Sequence, residues 1–288
     1  MAKDKTTMWR EIKSNIAAGA DKCVFCRSAS ATEEGHIIPS FVFRWIKQHG
    51  TGYLRSTASP NVRAQDGIKV RAFCADCEQS LSESESVFAS KLFRPLHDGA
   101  EAIPYDGWAL TFSIGVLWRV LWFYQWIGQL KHLTDGQRAL VDGVLDQWRA
   151  FIVGGTSVTS IGEVHALLMP MFGFGPKHRP SAHYSRYVGS AADMSVFSAP
   201  NCLYVYVKMG RLLLIGLLEK PCDDYMAGTE LGNSGVFPPR RMVLPEGIVK
   251  IIDSRAETAA ASTARLSQKQ WRKIGEGYER RSPDILAS

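Results

Sequence analysis

The stretch that decides the fold opens with Cys23-Val24-Phe25-Cys26, passes through Gly35-His36-Ile37-Ile38-Pro39 and closes with Cys74-Ala75-Asp76-Cys77-Glu78. Two CxxC pairs supply four thiolates. In a CxxC turn both sulfurs can face one side, so each pair offers half of a tetrahedral zinc site with bonds of about 2.3 Å. The 47 residues between the pairs exceed the roughly 15–20 of a single zinc-ribbon loop. An insertion is therefore expected, and His36 lies inside it. Cys23, Cys26, Cys74 and Cys77 are the expected ligands of one structural zinc ion.

Working outward, residues 1–22 read as a short helix with Trp9, Ile12 and Ile16 on one stripe and Gly19 near its end. Ile37 to Gln48 reads as a strand end followed by a helix. Pro39 sits at its start, where a missing N–H costs nothing. Residues 50–69 are rich in Gly, Ser, Pro, Asn and Asp and predict a loop or hairpin, with a turn at Asp66-Gly67. A helix is expected from about Glu78 to Leu92, its face marked by Leu81, Glu85, Phe88 and Leu92.

After Pro104 the composition shifts. Trp108 to Leu130 carries one charged side chain, Arg119. Length alone would permit a membrane span, but Arg119, Gln125 and Gln129 are costly in lipid. The expectation is a buried central helix with Arg119 satisfied by a buried carboxylate or by carbonyls. A second amphipathic helix is expected at 135–152, and loops with short elements at 154–192. Residues 203–208 and 211–215 predict a hairpin about Met209-Gly210, and 221–247 a Pro/Gly-rich connection. The tail from Asp253 is polar and helix-prone, with the basic cluster Arg272-Lys273 and Glu279-Arg280-Arg281.

Composition bounds the function. The chain has 288 residues, 45% hydrophobic and 22% charged, with a formal charge of +6 and a pI near 9.0. That is a globular composition, with a basic balance that favours an anionic partner. The first ten residues lack an apolar core, so no secretory signal is expected. Six cysteines, four of them in CxxC pairs, then fit a reducing cytoplasm. Cys202 and Cys222 read as small buried hydrophobes. Arg44, Lys47, Arg55, Arg63, Lys69 and Arg71 surround the cysteine module as candidate phosphate contacts. The remaining histidines show no ligand spacing.

The order of motifs (CxxC, a His at a strand end before Ile-Ile-Pro, then CxxC running into a helix) resembles the HNH endonucleases. The resemblance covers about 65 residues. It implies a zinc-stapled ββα unit, a catalytic Mg²⁺ or Mn²⁺ ion and hydrolysis of DNA phosphodiester bonds, in defence against foreign DNA. On this resemblance His36 falls on the general base and Glu78 on the metal-ligand position after Cys77. Gly35 stands where the family has an Asp, so Glu34, Asp66 or Glu85 has to supply that carboxylate.

The expected architecture is α+β: an HNH-like zinc module over residues 1–100, then a helical and β-hairpin domain over 101–288 open to a partner protein or a second copy. DNA is the expected partner, with no membrane. The competing expectation is a zinc module that binds nucleic acid or protein without catalysis.

Overall fold

The computed structural model describes residues 12, 14–154, 162–173, 180–222, 225–239 and 244–279. Trp9 of the N-terminal stripe, His178, and Arg280-Arg281 of the tail lie outside them. Residues 14–18 are helical and Ile12 is buried.

The architecture is mixed α+β. Strand β1 (Glu33–His36) is followed by helix α1 (Ser40–Gln48), the short strands β2 (Leu54–Arg55) and β3 (Arg63–Ala64), and strand β4 (Lys69–Phe73). Helix α2 (Ala75–Phe88) continues through a π-turn at Ala89–Phe93 and a last turn at Arg94–His97. β1 pairs antiparallel with β4, setting Glu34 opposite Arg71, Gly35 opposite Val70 and His36 opposite Lys69. β2 and β3 form a separate hairpin in which Arg55 faces Arg63.

The chain continues through β5 (Ile103–Tyr105), α3 (Gly107–Trp126), α4 (Asp135–Gly154), β6 (Glu163–Leu168) and α5 (Tyr184–Ser190). Strands β7 (Ala192–Ala199), β8 (Cys202–Met209), β9 (Leu212–Glu219) and β10 (Gly235–Phe237) precede the C-terminal helices α6 (Glu246–Ala264) and α7 (Gln268–Glu279). The β8–β9 hairpin is the centre of an antiparallel sheet ordered β6-β9-β8-β7. Successive strand residues face opposite ways, and here both faces are covered. Leu203, Val205 and Val207 join the cluster that contains α3, whereas Tyr204 and Tyr206 join Tyr187 of α5 and Ile248 and Ile252 of α6. Burial on both faces explains why the hairpin sequence is almost unbroken in its apolar character.

The outer strands escape a reading of the sequence. β6 sits in the Gly/Ser/Pro-rich stretch, and all eight residues of β7 are half-buried, so no alternation marks it. Lys208, fully buried on β8, donates to the carbonyls of Tyr187, Val188 and Ala191 at 2.7, 3.1 and 2.8 Å. Three acceptors match the three protons of an ammonium group, and they tie α5 to the sheet.

Helix α3 is capped by Asp106, whose side chain accepts from Trp108 N. It is buried on nearly every side, as its composition predicts. Trp118 Nε1 donates to Leu145 O at 2.8 Å and joins α3 to α4. Among the described residues, no helix is long and apolar enough to cross a membrane.

A single apolar cluster crosses residue 100. It joins Phe25, Phe73 and Phe93 to Trp118, Trp148 and the inner face of the sheet, with the Phe25 and Trp118 rings 4.6 Å apart. His97 makes a second tie. Its Nδ1 donates to Phe93 O at 2.8 Å, and its Nε2 accepts from Arg211 N, at the turn between β8 and β9, at 3.1 Å. Those two bonds need the neutral ring. Burial, together with the nearby charges of Arg211, Lys208 and His49, pulls its pKa down to about 4 against the opposing pull of the Phe93 carbonyl.

The folded pKa therefore lies below the unfolded value near 6.5. The stabilising contribution is fully present above pH about 6.5 and is lost as pH falls towards 4. Lowering pH from 7 to 5 is expected to cost wild type on the order of 1–2 kcal/mol through this group. His97→Gln, less stable at pH 7, should lose less over the same interval. Urea titrations at both pH values measure this, and equal losses in the two proteins would refute it.

Candidate metal centre and the adjoining histidine

The first knuckle is a tight turn after Cys23, closed by Arg27 N donating to Cys23 O at 2.9 Å and Cys23 N donating to Ala29 O at 2.8 Å. The second pair comes from the junction of β4 and α2. Cys74 is the N-cap residue with extended backbone, and Cys77 lies on the first helical turn. Two of the thiols thus sit at a helix N-terminus, where the macrodipole favours negative sulfur. Val24 N donates to Ala72 O at 2.9 Å and Thr32 N to Phe73 O at 2.9 Å, bonds that bring the knuckle against β4.

The four sulfurs of Cys23, Cys26, Cys74 and Cys77 all lie within 4.8 Å of one another, and Cys26 Sγ is 3.8 Å from Cys74 Sγ. A tetrahedral ion with bonds near 2.3 Å spaces its ligands by about 3.8 Å. The donor set fits zinc. Hydrogen bonds from Ser28 and Ala29 pull the Cys26 thiol down to about 6. Burial and the neighbouring sulfurs push Cys77 up. Four thiolates packed this closely repel one another without a cation among them, and thiolate ligands are what zinc requires. Of the two remaining cysteines, Cys202 is buried as expected. Cys222 is exposed, because it falls in the bend that leaves the sheet after β9.

His36 ends β1, and its Nε2 lies 2.8 Å from Asp66 Oδ2. Asp66 also accepts from Gly67 N at 2.9 Å and lies 3.3 Å from Lys69 Nζ. Burial opposes ionisation of Asp66, but the bonds from His36, Gly67 and Lys69 prevail and hold its pKa below the usual carboxylate value. The Asp-Gly turn thus brings a carboxylate against the histidine.

Glu78 and Glu85 take other places. Glu85 Oε1 accepts from Arg119 Nη1 at 2.6 Å, and the same guanidinium donates to His36 O at 2.9 Å and Gly115 O at 3.3 Å. Arg119 therefore holds the backbone of the histidine from beneath. Glu78 is mostly buried, and its Oε2 has no hydrogen-bond partner. Burial, reinforced by Glu85 and Glu33 and opposed by Arg119, pushes its pKa up to about 7.

That orphan oxygen lies against Gly35. A Cβ built on Gly35 would stand 2.8 Å from it and 2.4 Å from two ring carbons of the buried Phe73. An aspartate at this position has no room.

Strand alternation places Glu34, exposed, on the same side of β1 as His36. Of the carboxylates the sequence offered for an oxygen-bound ion, Asp66 meets His36, whereas Glu85 is committed to Arg119. Among the described residues, only the four cysteines form a converging group of three or more metal-binding side chains.

The surrounding cations divide. Arg71 donates to the carbonyls of Ala18, Ala20 and Ala31 and braces the N-terminal segment against β4, so it is not available to a phosphate. Arg44 bonds Ser40, and Lys47 bonds Gln65 O. Arg55 and Arg63 stay together in the β2–β3 hairpin. The sequence signalled that Arg119 would be satisfied inside but not by which groups. Phe73 carried no signal, and Lys69, read as a phosphate contact, lies beside Asp66 instead, because both roles depend on the β1–β4 register. Compared with protein-family models, with curated proteins and with solved structures, the chain matches none.

Proposed function

We propose that the cysteine-stapled unit is a phosphodiesterase of the HNH kind acting on nucleic acid, with DNA the substrate class that the resemblance implies. The observation that carries this reading is the 2.8 Å contact of His36 Nε2 with Asp66 Oδ2 at the end of β1. Asp66 accepts the Nε2 proton and fixes the tautomer, which leaves the Nδ1 lone pair to take a proton from a water attacking phosphorus. Arg119 holds the histidine backbone through His36 O, so the ring pivots on a fixed strand end. Lys69, beside Asp66, keeps that carboxylate ionised. A Mg²⁺ or Mn²⁺ ion would be held by Asp66 and Glu34 together with phosphate oxygens and water, and would polarise the phosphate and stabilise the leaving oxygen.

The test is cleavage of plasmid and linear DNA by the zinc-loaded protein with Mg²⁺ or Mn²⁺. His36→Ala is expected to lower the rate by about 10²-fold or more, with zinc content and thermal midpoint unchanged. Asp66→Asn should also slow cleavage, since an amide no longer enforces the tautomer.

A second reading has its own support. The space beside Gly35 is closed by Phe73 and Glu85 is committed to Arg119, which suits a unit that binds nucleic acid or protein and cuts nothing. A wild-type protein inert on DNA and RNA with either ion, yet retaining both, would decide for that reading.

A further inference from the structure

The C-terminal helices close over the loop that carries the β2–β3 hairpin. Ser262 Oγ donates to Thr57 O at 2.9 Å, and Asn61 both donates to Arg265 O at 2.9 Å and accepts from Ser267 N at 2.8 Å. Arg55 Nη2 donates to Gln270 Oε1 at 3.0 Å. Helix α7 comes so near that a Cβ on Gly277 would stand 2.7 Å from Thr51 O. Between hairpin and helix a cavity of about 170 Å³ remains, lined by Thr51, Tyr53, Arg63, Lys273 and Glu276.

The charges around this cavity do not balance. Arg55 and Arg63 face one another directly across the hairpin. Burial and the charge of Arg63 pull the pKa of Arg55 down. The Nε atoms of both arginines are buried with no hydrogen-bond partner. The Arg63 guanidinium carbon lies over the Tyr53 ring, 3.7 Å from its centre, which holds the group at the cavity wall. Glu276, the one acid here, is 3.9 Å from Arg272. Arg63 and Lys273 line the cavity, with Arg55 across the hairpin from Arg63, and Glu276 alone does not offset the three, which favours an anion among them.

We propose that this cavity between the β2–β3 hairpin and α7 is an anion site that takes a phosphate group, of a free nucleotide or of a nucleic-acid strand, through Arg63 and Lys273. A planar guanidinium held over an aromatic ring presents paired N–H donors to phosphate oxygens, and the lysine adds a point charge. Arg55, pinned by Gln270, supplies field rather than contact. The inference does not rest on the cleavage reading, since binding is measured without turnover.

The experiment uses the full-length, zinc-loaded chain with the His36→Ala substitution, titrated with inorganic phosphate, a nucleoside monophosphate and a labelled single-stranded oligonucleotide. Binding is expected, with Arg63→Ala and Lys273→Glu each weakening it at least tenfold and Glu276→Gln tightening it. Circular dichroism checks that each variant is folded, and Lys273→Glu, on a helix surface, carries the test if Arg63→Ala does not fold. A mononucleotide that binds as well as the oligonucleotide identifies the free phosphate, and affinity that grows with strand length identifies the strand. No binding of any of the three probes at millimolar concentration, or affinities unchanged in the folded variants, would overturn the proposal.

Discussion

Replacing Cys77 by serine, or stripping the metal with a chelator, is expected to unfold residues 20–90 and to drag down the rest of the apolar cluster. Purified wild-type protein should carry one zinc per chain by elemental analysis. Structural zinc binding supplies about 10–16 kcal/mol of apparent free energy in small modules at neutral pH, as much as the whole stability of an ordinary domain, about 5–15 kcal/mol. The module's own sheets are small: β1 and β4 are the two strands of one, and β2 and β3 are two residues each. The loss should spread, because Phe25 of the first knuckle packs on Trp118 of α3, 4.6 Å between ring centres. Cys202→Ser, in the sheet, should leave the zinc content at one. Metal-free protein with an unchanged circular dichroism spectrum and thermal midpoint would show that the four sulfurs are only neighbours.

Arg119→Leu is the second large effect, expected at about 3–5 kcal/mol in urea denaturation. The arginine is fully buried, and its side chain satisfies three oxygens, those of Glu85, His36 and Gly115. Leucine removes all the donors at once and leaves the Glu85 carboxylate beside Glu78 without its cation. The Arg119→Leu/Glu85→Leu pair should recover part of the loss, because an apolar pair of similar volume no longer strands a charge. A single substitution costing less than about 1 kcal/mol would mean that water reaches Glu85 in place of the guanidinium. In the folded fraction the His36 carbonyl is also released, so any cleavage activity should fall further than the fraction of unfolded protein explains.

Much of this architecture is written locally. The doubled CxxC announces a four-sulfur site able to hold one ion, because two-residue spacing lets both sulfurs of a pair face one side of its turn. The run around Arg119 announces a buried helix, because a lone cation among aromatic and aliphatic residues has to be satisfied from inside. The β8–β9 hairpin is legible from its β-branched and aromatic content.

What lies between distant segments is not written locally. β7 is half-buried throughout and shows no period, so only its pairing with β8 makes it a strand. Of the five residues offered for the catalytic site, His36 and Asp66 meet because β1 and β4 pair in a register that returns the Asp-Gly turn to the strand end. Glu85, two helical turns beyond Glu78, lies in sequence as well placed as Asp66, but it is claimed by Arg119 from a helix that begins at Gly107. Gly35 shows the same dependence: the sequence says only that a ligand is missing there, and the Phe73 ring, set across the strands by the fold, is what leaves no room for one. Residue type and short spacing determine which groups can bind a metal or move a proton. Which of them share a site is decided by strand register and by the single cation buried behind them, since both depend on contacts between residues far apart in the chain.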